Sequence, residues 1–117
     1  MSYDVDFCDP VDGSVINLDT PHMMRGGTYR IGGTTELTLN ITFNYAPNYA
    51  KHDFNVCDLD GKSAVDCIPT LERVISELGD DVSSNYWDAT DGNAKKALIH
   101  LLTMAKMRPD AIIKVYD

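Results

Sequence analysis

Positive charge is scarce in this chain. Its 117 residues carry ten Lys and Arg against 18 Asp and Glu, a net charge of −8 with a pI near 4.6. Such a balance argues against direct nucleic-acid binding driven by phosphate neutralisation. It leaves open a protein partner with a basic groove, into which an acidic surface is steered. Long apolar runs are missing too. None approaches the roughly 18 residues needed to span a bilayer, so no membrane association is expected. The first residues, MSYDVDFCDP, lack the basic and apolar regions of a signal peptide. The sequon Asn40-Ile41-Thr42 therefore has no expected use. Only three cysteines occur, Cys8, Cys57 and Cys67, without CxxC spacing. That excludes a disulfide framework or a zinc ribbon and points to reduced thiols in a cytoplasmic protein. The three histidines, His22, His52 and His100, include no helical i, i+4 pair. No Ser-His-Asp, GxSxG, HExxH, P-loop or GxGxxG pattern is found, and no cofactor or metal is expected.

What is present first is a strand pattern. Over residues 36–43, Leu37, Leu39, Ile41 and Phe43 alternate with Glu36, Thr38, Asn40 and Thr42. A period of two reads as a strand with one buried and one wet face. Residues 27–31 form a shorter strand candidate, and Gly32-Gly33 between them matches a tight hairpin turn. Gly26-Gly27-Thr28 and Gly32-Gly33-Thr34 echo each other. A phosphate-cradling loop would require a helix start directly afterwards, whereas a strand follows, so the glycines read as turn residues. Earlier, Tyr3, Val5 and Phe7 alternate with Asp4, Asp6 and Cys8 in an edge or near-edge strand. Asp9-Pro10-Val11-Asp12-Gly13 turns the chain, and residues 14–18 return as the second strand of an N-terminal hairpin.

Residues 44–62 are irregular. Asp58-Leu59-Asp60-Gly61 resembles the start of a calcium loop, but the remaining ligands are absent and Pro69 stands where the closing acid belongs. A first helix is expected over 63–78. Ala64, Ile68, Leu71, Ile75 and Leu78 form its stripe, Ser63 and Asp66 resemble a capping box, and Gly79 marks the stop. Pro69 predicts a kink or a later true start. A second helix, capped by Thr90 or Asp88, is expected over about 91–107. Ala94, Ala97, Leu98, Leu101, Leu102 and Ala105 form its apolar face, and Pro109 ends it. The apolar residues 111–116 add a short strand or pack across the core. Strands followed by helices predict an α+β fold: a small antiparallel sheet of two hairpins with two amphipathic helices on one face. The organisation is one domain over 1–117, strand-rich to 45, loop to 62, helical to 108, then a C-terminal segment.

The candidate binding residues gather around this strand. Glu36, Asn40 and Asn44 share its polar face, where amides hydrogen-bond a ligand or simply face water. His22 and Arg25 precede it. Tyr45, Tyr86 and Trp87 stand at loop ends, suited to interfaces or to plugging core edges. His22, Glu36 and Tyr45 are also the acid–base group of an alternative reading, a small enzyme acting on a nucleotide or polar ligand.

Two blocks, RGGTYRIGGTTELTLNITFNY over 25–45 and IPTLERVISELGDDVSSNYWDATDGNAKKALIHLLTMAKMRPDA over 68–111, cover more than half of the chain. They resemble a widespread family of small phage- and prophage-encoded proteins without a settled activity, which share "GGT…TE…LNITYNY" and "YWxPTxGNA…RPD" blocks. Ala46-Pro47-Asn48-Tyr49 departs from the family's His or aromatic after NY, and Ala89 replaces the Pro of YWxPT. The resemblance implies a protein working inside a bacterial host cell, for a phage or beside one. The leading expectation is an accessory protein, counter-defence among its roles, that binds a host or phage macromolecule or sequesters a small ligand without catalysis. The alternatives are the small enzyme and a virion structural or assembly component. Homo-oligomerisation is compatible with all three.

Overall fold

A computed structural model describes all residues from Met1 to Asp117. Five strands, β1 (Ser2–Cys8), β2 (Asn17–His22), β3 (Thr34–Glu36), β4 (Thr38–Thr42) and β5 (Ile112–Tyr116), carry the sheets. Three helices follow the first four strands: α1 (Ala46–Ala50), α2 (Ala64–Glu77) and α3 (Asp91–Met107), with 3-10 turns at Phe43–Tyr45 and Val56–Leu59. The class is α+β, as the order of patterns implies.

The strand pairing differs from two hairpins. β1 is the central strand of a three-stranded antiparallel sheet in the order β4-β1-β5. Its register pairs Tyr3 with Ile41, Val5 with Leu39 and Val115, and Phe7 with Ile113. One face is thereby entirely apolar, and Val5, Phe7, Ile41 and Ile113 lose all solvent contact. The expectation of an edge strand paired with 14–18 is corrected. That segment keeps a single bridge, Cys8 to Val15, before it turns away. β2 then pairs with β3 in a separate two-stranded ribbon. The C-terminal strand displaces the predicted partner because Ile113 and Val115 extend the apolar row beside Phe7 and Val5.

The strand expected over 36–43 is divided at Leu37, and its alternation holds through Ile41; Thr42, expected on the wet face, is buried. Leu37, Leu39 and Ile41 are buried, and Phe43 packs edge-on to Tyr3 with ring centroids 4.5 Å apart. The Leu37 amide donates to Ile16 while its carbonyl accepts from Phe7, both at 2.9 Å, so the chain passes from one ribbon to the other here. Residues 27–31 form no strand. Gly32 and Gly33 do take left-handed φ angles of 84° and 82°, and the Gly33 amide closes a turn onto Arg30 at 2.9 Å. That turn delivers a loop into β3 rather than joining two strands.

α2 and α3 pack on each other and on the apolar face, sharing one core of 25 buried residues with the strands. α2 starts at Ala64 without the expected capping box. The Ser63 side chain caps nothing; the Ala64 and Val65 amides donate instead to the carbonyls of Ala111 and Pro109, at 2.7 and 3.1 Å. Pro69 neither delays the helix nor ends it, and its ring lies on the exposed side. The helix ends because Leu78 turns extended into the core, not through a left-handed Gly79. Thr90 caps α3 by accepting the Asn93 amide. No helix is long and apolar enough to cross a membrane.

Candidate binding clefts

The outward side chains of the sheet form two rows, Asn40–Asp4–Tyr116 and Thr38–Asp6–Lys114, set by the β1 register. Residues 23–33 arch over this polar face and enclose a cleft of about 940 Å³. Asp4, Asp6 and Glu36 line it from the sheet, and Arg25, Tyr29 and Arg30 from the loop. The loop is held by close main-chain approach. The Gly27 amide donates to the Asn40 carbonyl at 3.3 Å, and a Cβ on Gly26 would lie 1.5 Å from that oxygen. These two glycines therefore serve contact with the edge of β4 rather than a turn.

Within the cleft, the Asn40 amide nitrogen donates to Ser2 Oγ at 2.7 Å and to Asp4 Oδ1 at 2.8 Å. Arg30 approaches Glu36 at 3.3 Å, a pair open to solvent and weak for that reason. Burial pushes the Asp6 carboxyl above its usual range, helped by the charges of Asp4 and Glu36 and opposed by Lys114. His22 Nδ1 accepts the Met24 amide hydrogen at 3.2 Å, so Nε2 carries the proton and donates to the Glu36 carbonyl at 2.7 Å. The pairing of His22 with Glu36 thus runs through the main chain, and both ring nitrogens are engaged in holding the loop.

A second cleft, of about 450 Å³, opens on the other side of the same loop. Tyr45, Tyr86, Trp87, Arg25, Lys96 and His100 line it. The buried Tyr45 hydroxyl donates to the Tyr86 carbonyl, and burial raises its pKa far above the ordinary phenol value. Tyr86 stacks edge-on against both Tyr45 and Trp87. Asn93, one turn into α3, gathers the preceding loop. Its side chain accepts from the Ser83 amide and donates to the carbonyls of Asn85 and Asp88, at 3.0 to 3.1 Å. Burial, then Lys96 and His22, hold the His100 imidazole below its ordinary pKa.

The eight expected site residues thus separate. His22, Arg25, Glu36 and Asn40 line the larger cleft; Arg25, Tyr45, Tyr86 and Trp87 line the smaller; Arg25 belongs to both. Asn44 lines neither, and its amide donates to the Trp87 carbonyl at 2.9 Å. The acid–base set His22, Glu36 and Tyr45 does not share a cleft. Asp4 and Asp6 were visible in the alternation of β1 but carried no signal of their own, because only the pairing with β4 brings them beside Asn40. Lys96 and His100 stand at i, i+4 on α3, a spacing legible in the sequence whose orientation was not. The carboxylates of the Asp58-Leu59-Asp60-Gly61 segment accept main-chain amides, Asp58 from Asn55 and Asp60 from Val115. Burial raises the pKa of all three thiols, so they are poor nucleophiles at neutral pH. No protein-family model, no curated protein and no solved structure matches the chain.

Proposed function

We propose that this is a binding protein without catalysis of its own, an accessory factor of the phage or prophage type, and that its larger cleft takes a basic segment of a host or phage protein. The observation that carries this reading is the cleft's charge and size. Three carboxylates, Asp4, Asp6 and Glu36, share a cavity of about 940 Å³ with Arg25 and Arg30; Arg30 pairs with Glu36, which leaves Asp4 and Asp6 on the floor without an ion pair, and the volume falls within the range of built ligand sites. Exposed apolar side chains rim it: Met23 and Tyr29 are about two-thirds open and Ile31 is almost fully open. An apolar rim around a charged floor suits an extended peptide that carries Lys or Arg. The Asp6 carboxyl, raised first by burial and then by Asp4 and Glu36, favours the same occupant, since a cation arriving beside it stabilises its charged form.

The test is a pull-down from native host lysate with mass spectrometry. It compares the natural protein with Asp4→Asn/Asp6→Asn and with Ile31→Asp. A partner recovered by the natural protein and lost by both variants, with neither variant melting below the natural protein, is the expected result. Recovery of nothing, or equal recovery by all three proteins, overturns the reading.

A further inference from the structure

The smaller cleft has the opposite chemistry. The chain has 18 carboxylates, yet none lines this cavity, whereas Arg25, Lys96 and His100 do. None of these three groups has a carboxylate within ion-pair distance, although Arg30, Arg73, Lys95 and Arg108 all do. The Arg25 guanidinium lies 4.2 Å over the Tyr29 ring and makes no ion pair, although it also borders the larger cleft. His100 makes no side-chain hydrogen bond, and its imidazole is held below the ordinary pKa by burial first, then by the neighbouring Lys96 and His22. Asp88, on the adjoining loop, is outside the lining; its carboxylate accepts from Ser83 Oγ and Asn85 Nδ2. In an acidic protein, a cavity lined by two cations without ion pairs, Arg25 and Lys96, by an imidazole N–H donor and by no carboxylate suits an anion.

The cavity is also aromatic. Trp87, half exposed, and Tyr29 bring open ring surface to the cleft that holds the cations. Trp87 is braced edge-on by Tyr86 at 4.9 Å, which fixes its indole without covering it. On α3, Asn93, Lys96, Ala97 and His100 fall at i, i+3, i+4 and i+7, so one helix face presents the polar wall. Small Ala97 and the glycines 26 and 27 leave room between wall and loop. A planar ring stacked on Trp87 with an anionic group against Lys96 and His100 meets all of these features.

We propose that the smaller cleft binds a small aromatic anion of the nucleoside monophosphate class, with Trp87 stacking the base and Lys96, His100 and Arg25 receiving the phosphate. A mononucleotide carries few charges, so this is compatible with a net charge that disfavours long nucleic acids. The cavity of about 450 Å³ is of the size that such ligands occupy.

Trp87 is the chain's one tryptophan, so its fluorescence reports on this cleft alone. The test titrates AMP, GMP, CMP and UMP at low ionic strength, with adenosine and inorganic phosphate as separate arms, read by fluorescence and by calorimetry. At least one monophosphate is expected to bind about tenfold or more tightly than adenosine or phosphate alone. Lys96→Ala and His100→Gln should weaken it by about tenfold each, and added salt should weaken it further. Trp87→Ala, read by calorimetry, should do the same. Lys106→Ala removes an equal charge from the same helix outside the cleft and should change nothing. Absence of binding by all four nucleotides overturns the proposal. So does phosphate binding as tightly as a nucleotide, or nucleotide binding indifferent to Lys96→Ala and Trp87→Ala. These readouts need no protein partner, so their failure is separate from failure of the pull-down.

Discussion

The Tyr86 hydroxyl accepts the amide hydrogen of Thr42 at 3.0 Å and donates to the Asn40 carbonyl at 3.3 Å. β4 is an edge strand, and these are the groups that a further strand would pair. A phenol from the loop ahead of α3, with the Gly27 amide beside it, takes that place. The same contact positions Trp87 next to the smaller cleft and the glycine loop over the larger one.

Tyr86→Phe keeps the ring against Tyr45 and deletes only the hydroxyl. Thr42 is buried, so its amide loses a partner that water cannot readily replace. A loss of about 1–3 kcal/mol in unfolding free energy is expected from urea denaturation. An unchanged midpoint would show that the edge is not held by this bond.

Gly26→Ala and Gly27→Ala should release the 23–33 loop without unfolding the core. A Cβ at Gly26 meets the Asn40 carbonyl oxygen, which cannot yield within the sheet, and one at Gly27 meets Asn40 Oδ1 and Trp87. Limited proteolysis should cut the loop faster while the thermal midpoint moves little. Gly32→Ala points into open space and should cost only its left-handed φ, about 1 kcal/mol.

Asn93→Ala removes three hydrogen bonds that tie residues 83–88 to α3. Asn93 is buried, so the loss should be about 2 kcal/mol or more by chemical denaturation. Asn93→Asp should not rescue it, because a carboxylate cannot donate to the Asn85 and Asp88 carbonyls.

Two acids predict opposite pH responses. Hydrogen bonds from Asn48 and from the Gly79 amide hold the Asp91 carboxyl below the usual range. Its stabilisation is complete above the unfolded-state value of about 3.9 and is lost as pH falls through the folded value. Asn48→Ala should shrink that acid-side loss. Asp6 is raised, so the native state holds its proton more tightly than the unfolded chain does. Its contribution falls as pH rises from the unfolded value through the folded one. Asp6→Asn should therefore raise the thermal midpoint at neutral pH and remove that slope; a lower midpoint would contradict the assignment.

The neutral Nε2–H tautomer of His22 is a further expectation, checked by long-range nitrogen–proton correlation above neutral pH. An Nδ1–H pattern would exclude the bond from the Met24 amide.

Periodicity carried the reading as far as local chemistry reaches. The alternation of Tyr3, Val5 and Phe7 and of Leu37, Leu39 and Ile41 determined which side chains are buried, because a pleat sends successive residues to opposite faces. Thr90 and the 91–107 helix were legible because capping and a 3.6-residue stripe are local. The α+β class followed from the order of those patterns. Pairing was not legible, because Phe7 meets Ile113 across more than a hundred residues and no local signal marks that choice. The capping box at Ser63 failed for the same reason: amides that a side chain could have satisfied were taken by carbonyls of the segment before β5. The site was decided at the same level. His22, Glu36 and Tyr45 lie along one stretch of sequence, yet the passage of residues 23–33 across the edge of β4 divides them between two clefts. That passage depends on Gly26 and Gly27 lying against Asn40, a contact set by the distance between two backbones and visible only once both are folded.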